Sequence, residues 1–162
     1  TCVTCVMEGV RPVLAEIQAL VVPSSFGNPR RVSNGVEYNR AMLLLAVLEK
    51  RGGLLLGNCD AYLNVIGGLS LDEPAADLAA MLALASSFRD KPVPSDLAAI
   101  GEVGLTGELR AVSNLGQRLS EVRRLGFTKC LIPKRIQGKL AAPEGLELIR
   151  VANIREALAA LL

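Results

Sequence analysis

Histidine is absent from this 162-residue chain, so its chemistry falls to Ser, Lys, Cys, Asp and Glu. Ser–His and Cys–His nucleophile pairs are excluded, as are most zinc and iron sites. Cys2 and Cys5 form a CxxC, a spacing used in metal and redox sites. No second pair follows, and Cys59 and Cys130 stand singly in apolar, strand-like runs. That scatter fits buried structural thiols in a reducing compartment better than a zinc tetrad, and no metal site is expected. Serine with a lysine base is the other option. Ser86, Ser87, Ser113 and Ser120 and Lys91, Lys129, Lys134 and Lys139 are available, but none stands in a motif. The acidic pair Glu73 and Asp77 lies four residues apart, on one face if the segment is helical. Such a pair could bridge to a neighbouring subunit, or EPAAD could simply cap a core helix.

The element that must position this acidic pair is Asp60 to Phe88. Tyr62, Asn64 and Ile66 alternate against Leu63 and Val65 as in a strand, which breaks at Gly67-Gly68. A helix is expected to restart after Asp72, with Asp72 as N-cap, Pro74 in the first turn and Glu73 at the positive end of the dipole. Leu78, Met81, Leu82 and Ala85 give it an apolar face. Upstream, Cys2–Met7 and Val13–Val22 are predicted strands joined through 8–12. Pro23–Gly35 reads as a loop, and Val36–Arg51 as a helix stopped by Gly52-Gly53. Downstream, a loop spans 89–96, and a hairpin is predicted over Leu97–Val112 around Thr106-Gly107. Asn114 should cap a helix running to Leu125 before Gly126. Strands follow at Lys129–Ile132 and Leu146–Val151, and Asn153 should cap the final helix, IREALAALL.

Composition sets the class. The chain is 51% hydrophobic, 3% aromatic and without Trp, so the core must come from Leu, Val, Ile and Ala. Its length suits one domain, 1–162. Interleaved strands and helices with antiparallel hairpin signals point to an α/β sandwich with a mixed sheet. No GxGxxG follows a strand and no GxxxxGK[ST] occurs, so the chain has no nucleotide-phosphate loop. No leader and no membrane-length apolar run is seen. A start at Thr1 inside a strand-like pattern suggests a piece of a longer protein.

A net charge of +2 does not by itself argue for nucleic acid. Local basic residues do offer contacts: Arg30-Arg31 in the loop, Arg40 on the next helix, and Lys50-Arg51 at its end. Arg123-Arg124 end another helix. The helix-end residues fit as dipole partners equally well, so Arg30 and Arg31 lead. With few aromatics, and only Tyr38 near these residues, a base-stacking platform is not expected.

The ordered set EGVRPVLAEIQALV (8–21), NRAMLLLAVLEKR (39–51), NVIGGLSLDEPAADLA (64–79), GEVGLTGELRAV (101–112) and LGFTKCLIPK (125–134) resembles the C-terminal domain of the RadA (Sms) family of bacterial DNA-repair proteins. That domain is in turn similar to the proteolytic domain of Lon proteases, a two-layer α/β sandwich of the ribosomal-protein S5 domain 2 type. The Lon nucleophile lies in Gly-Pro-Ser-Ala-Gly at a helix start. The matching residues are Glu73, Pro74, Ala75, Ala76 and Asp77, which puts Ala75 at the serine position. The Lon lysine lies in Gly-Gly-Leu-Lys before a Leu-Ile-Pro run. Counting back from Leu131-Ile132-Pro133, it falls on Gly116. A methyl group cannot attack a carbonyl, and a serine without a base is a poor nucleophile.

The resemblance implies a non-catalytic domain within a homo-hexameric, cytoplasmic repair ATPase that acts on recombination intermediates. DNA contact, single-stranded or branched, would come from Arg30, Arg31, Arg40, Lys50 and Arg51, and subunit contact from Glu73 and Asp77. It also implies the recombinase RecA as a partner. ATP, Mg and Zn would belong to a RecA-like core and a zinc finger outside this chain, with no cofactor in the chain itself. Two other readings stay open: an active Ser–Lys peptidase, opposed by Ala75 and Gly116, and a ring scaffold that does not touch DNA.

Overall fold

Alternating apolar residues at the start of the chain form an antiparallel hairpin. In the computed structural model, which describes residues 1–25 and 27–161, β1 (Cys2–Glu8) pairs with β2 (Arg11–Pro23), setting Cys2 opposite Ile17 and Glu8 opposite Arg11. Phe26, inside the expected 23–35 loop, and Leu162, last in the expected final helix and in the 1–162 domain, lie outside the described residues.

Part of the expected loop is a strand. β3 (Arg31–Asn34) runs parallel to β4 (Cys59–Val65), and β4 pairs antiparallel with β2. Four residues rich in polar side chains show too little alternation to be read as a strand; pairing with β4 makes them one. The Leu97–Val112 hairpin is also smaller than expected. Only β6 (Glu102–Val103) and β7 (Leu109–Arg110) pair around Thr106-Gly107. Leu97–Ala99 is instead β5, parallel to β1 on one side and to β8 (Lys129–Pro133) on the other. All three of its residues are buried, as suits a short apolar run covered on both faces. β9 (Glu147–Val151) lies parallel to β8 and completes the order β3-β4-β2-β1-β5-β8-β9. The expected mixed α/β sheet is the observed one.

On one face pack α1 (Tyr38–Gly52), α2 (Asp77–Arg89) and α4 (Ile154–Leu161). Gly53, in a left-handed conformation, closes α1 as expected, and Asn153 caps α4 through its Oδ1, which accepts from Glu156 N at 2.8 Å. α2 is buried over every residue from Asp77 to Ser86, so the expected apolar stripe is in fact burial all round. The sheet's other face carries a smaller apolar cluster under α3 (Leu115–Arg124).

Strand geometry decides the cysteines. Cys2 and Cys5 are three residues apart on β1, so they face opposite sides of the sheet, Cys2 in the larger cluster and Cys5 in the smaller. Burial pushes the Cys2 thiol up to about 12 and the Cys5 thiol up to about 11, and it also raises Cys130. Among the described residues no helix is long and apolar enough to cross a membrane.

Candidate functional site

α2 starts differently from the sequence expectation. Asp72 does not cap it. A 3-10 turn at Pro74–Ala76 leads in, and no side chain caps either segment. Backbone pairing with the neighbouring 101–103 stretch takes the cap's place. Leu78 N donates to Gly101 O (3.0 Å), Gly101 N donates to Ala75 O (2.9 Å), and Val103 N donates to Asp77 Oδ2 (3.0 Å). The carboxylates thereby gain other partners.

Glu73 faces α3. Arg118 donates from Nη2 to Glu73 Oε2 at 2.9 Å and from Nη1 to Glu73 Oε1; Nη1 also reaches Cys5 O at 3.0 Å, and Nε reaches Ser113 O at 2.8 Å. Met7 N adds a bond to Glu73 Oε1 at 3.1 Å. The arginine is only 1% exposed, the glutamate 27%. Partial burial acts to raise the Glu73 carboxyl. The bonds from Arg118 and Met7, with the guanidinium charge, outweigh it and hold the group below its ordinary value.

Asp77 points elsewhere. It pairs bidentately with Arg40, whose Nε donates to Oδ1 at 3.0 Å and whose Nη2 donates to Oδ2. The aspartate is 4% exposed. Burial raises its carboxyl above the usual range even though Arg40 and the Val103 N–H pull the other way. The hydrogen bond to Asp77 in turn raises Arg40.

Both ion pairs are internal. Glu73 and Asp77 do not stand free for a neighbouring subunit; each has a partner within the chain. Arg40 is not a free cation on α1, since its guanidinium lies on Asp77. The Arg30-Arg31 pair is split as well. Arg31 belongs to β3 and donates from Nη2 to Leu56 O at 2.7 Å. Arg30 is exposed, with its backbone N–H held by Asp60 Oδ1 at 2.7 Å. Lys50 and Arg51 are exposed in the last turn of α1, as the dipole-partner reading has them.

Sequence reasoning missed Arg118. The signal was present: Leu115, Arg118, Leu119 and Val122 share one helical face, and all four are buried. A charge inside an apolar stripe requires a buried counter-charge.

The Glu73–Arg118 pair has a particular place relative to the two dyad positions. Glu73 precedes Ala75 by two residues, and Arg118 follows Gly116 by two. The pair thus ties together the two segments that carry nucleophile and base in the Lon comparison. Ala75 is 3% exposed and packs in the apolar cluster that also holds Cys5, Leu115 and Leu119. Gly116 would have open space around an added Cβ. No substitute dyad forms from the central serines: Ser86 Oγ donates to the backbone carbonyl of Lys91, and Ser87 Oγ accepts from Val21 N at 2.9 Å. Beside α2 a cleft of about 290 Å³ is walled by Val36, Leu44 and Leu71 and edged by Glu37, Asp72 and Asp77. Glu73 and Arg40 line it too, and its lining includes no Ser, Thr, Cys or Lys.

The chain is similar to known proteins over most of its length. Residues 60–162 match the Lon protease (S16) C-terminal proteolytic domain. Over 156 residues the chain is 56% identical to the DNA repair protein RadA of Bacillus subtilis (strain 168), covering 96% of the chain and 34% of that relative. It is 52% identical over 152 residues to the RadA of Streptococcus pneumoniae (strain ATCC BAA-255 / R6), with 94% and 36% covered. With the RadA of Listeria monocytogenes serovar 1/2a it shares 53% identity over 152 residues, with 94% and 33% covered. The chain therefore spans about a third of the length of the curated relatives it matches.

Proposed function

The chain belongs to the Lon protease (S16) C-terminal proteolytic domain family, and from that premise we propose that it is a non-catalytic member serving DNA repair. In this reading it is a ring-forming scaffold of a RadA-type recombination ATPase, with auxiliary contact to single-stranded or branched DNA, working in the cytoplasm beside the recombinase RecA. ATP, Mg and Zn chemistry would belong to other parts of such a protein.

The observation that carries the reading is the replacement of the dyad. In the Lon comparison the nucleophile position falls on Ala75, whose methyl group is buried in the core, and the base position falls on Gly116, which has no side chain. The two segments are joined instead by an ion pair whose arginine is 1% exposed. A peptidase needs an activated, accessible nucleophile beside its base; a scaffold needs these segments held rigidly. The names of the RadA relatives support the link to DNA repair.

Two measurements test it. Native mass spectrometry at micromolar concentration should show a six-subunit species, and a monomer at every concentration would overturn the ring. Repurified chain incubated with a fluorescein-labelled unfolded protein should release no fluorescence above buffer; turnover that persists through repurification would overturn the non-catalytic reading.

A further inference from the structure

The basic side chains differ sharply in how far the fold occupies them. Arg31, Arg40, Arg118, Arg123 and Arg124 all donate to carbonyls or carboxylates of their own chain. A different set lines two neighbouring concavities. Glu108, Arg110, Lys134 and Arg135 border a concavity of about 500 Å³, and Gly116 and Lys139 border a second of about 420 Å³. The two adjoin: Ala111 lines the first and Val112 the second, as do Arg135 and Ile136.

We infer that this groove, running from Arg110 past Lys134 and Arg135 to Lys139, is the surface on which the chain takes the phosphate backbone of single-stranded DNA. The inference deepens the proposed DNA contact and rests on it. Lys134, Arg135 and Lys139 are exposed. Arg110 is 59% exposed and meets Glu102 and Glu108 only at 4.0 and 3.5 Å. The one carboxylate on the groove wall, Glu108, is already engaged by Thr106, whose Oγ1 donates to it at 2.8 Å. Three cations on the first concavity and Lys139 on the one beside it fit a chain of phosphates, which is read by charge and not by base.

Gly116 adds room at the far end. An added Cβ there meets nothing within 4 Å, so backbone can approach closely at the first turn of α3. The position that holds the base in the Lon comparison thus opens onto the groove. Acidic side chains gather elsewhere, in the cleft edged by Glu37 and Asp72 beside the Arg40–Asp77 pair. A net charge of +2 conceals this separation.

The test is fluorescence anisotropy of a fluorescein-labelled single-stranded oligonucleotide across a salt series. It compares the unsubstituted chain, an Arg110→Ala/Lys134→Ala/Arg135→Ala variant and an Arg30→Ala/Lys50→Ala/Arg51→Ala variant, each with a circular-dichroism melt to check folding. The groove variant should bind about tenfold or more weakly at low salt, and its slope of log affinity against log salt should fall by about 2, at about 0.7 per phosphate contact. The other variant should stay within about twofold. Full binding by the groove variant, with loss in the other, would overturn the inference and leave the DNA contact standing. No binding by the unsubstituted chain at low salt would overturn the DNA contact itself, and the groove with it.

Discussion

Replacing Glu73 by alanine isolates the interaction that holds the Ala75 and Gly116 segments together. The partner left behind, Arg118, is 1% exposed. It would keep its bonds to Cys5 O and Ser113 O but lose its counter-charge. Stranding one member of a buried pair costs roughly 3–5 kcal/mol, a large share of the 5–15 kcal/mol of a typical domain. At about 2–4 °C per kcal/mol for a chain of this size, the melting temperature should fall by roughly 6–20 °C. With no Trp in the chain, unfolding in urea is followed by far-UV circular dichroism. A Glu73→Met/Arg118→Met double variant should lose less than the sum of its single substitutions, because neither charge is then stranded. Acid supplies an independent check. The folded state holds Glu73 below its ordinary 4.5. Its stabilising effect is therefore fully present above that value and is lost as pH falls through the lower folded value. The gap between parent and Glu73→Ala should close below pH 4.5. A loss under about 1 kcal/mol at neutral pH, where a surface pair would fall, or a gap unchanged in acid, would refute the reasoning.

Three further outcomes follow from the packing of the fold. Thr4 is fully buried and its hydroxyl has no hydrogen-bond partner among the described residues, so Thr4→Val should raise the urea midpoint, by about 1–3 kcal/mol in stability. Arg40→Ala leaves a 4% exposed aspartate without its guanidinium. Because burial raises the Asp77 carboxyl, the loss of about 1–3 kcal/mol in urea titrations should grow as pH rises and the group ionises. Gly35 sits at φ +94, where a Cβ would lie 2.6 Å from Leu69 O and from the Val65 side chain. Gly35→Ala should cost roughly 2 kcal/mol or more in thermal melts, more than Gly9→Ala, whose left-handed position has open space.

How far the sequence reveals this molecule depends on which interactions are local. The β1–β2 hairpin, α1 with its Gly53 stop and the Asn153 cap on α4 are set by neighbouring residues, and their pattern can be read directly. β3 is hidden because four residues among Ser, Asn, Pro and Gly become a strand only through β4, some 30 positions on. β5 is absorbed into an expected hairpin because an apolar triplet does not declare its neighbours. The site divides the same way. Ala75 and Gly116 are found by matching segments, which needs no geometry. The roles of Glu73, Asp77 and Arg40 depend on contacts 45 and 37 residues away, so a helical face suggested free charges where the fold makes internal pairs. Arg118 was visible as a charge within an apolar stripe, but its partner was not.

The proposed loss of the nucleophile is tested most directly with a fluorophosphonate probe, which labels an activated serine covalently whatever the substrate preference. Intact-mass spectrometry of the folded chain, read beside urea-unfolded chain, should show no probe adduct, because in the proposed reading the nucleophile position is Ala75, a buried methyl, and the base position is Gly116. Stoichiometric labelling of the folded chain at any serine, abolished by unfolding, would mean that an activated nucleophile exists elsewhere in this fold and that the domain is still a peptidase.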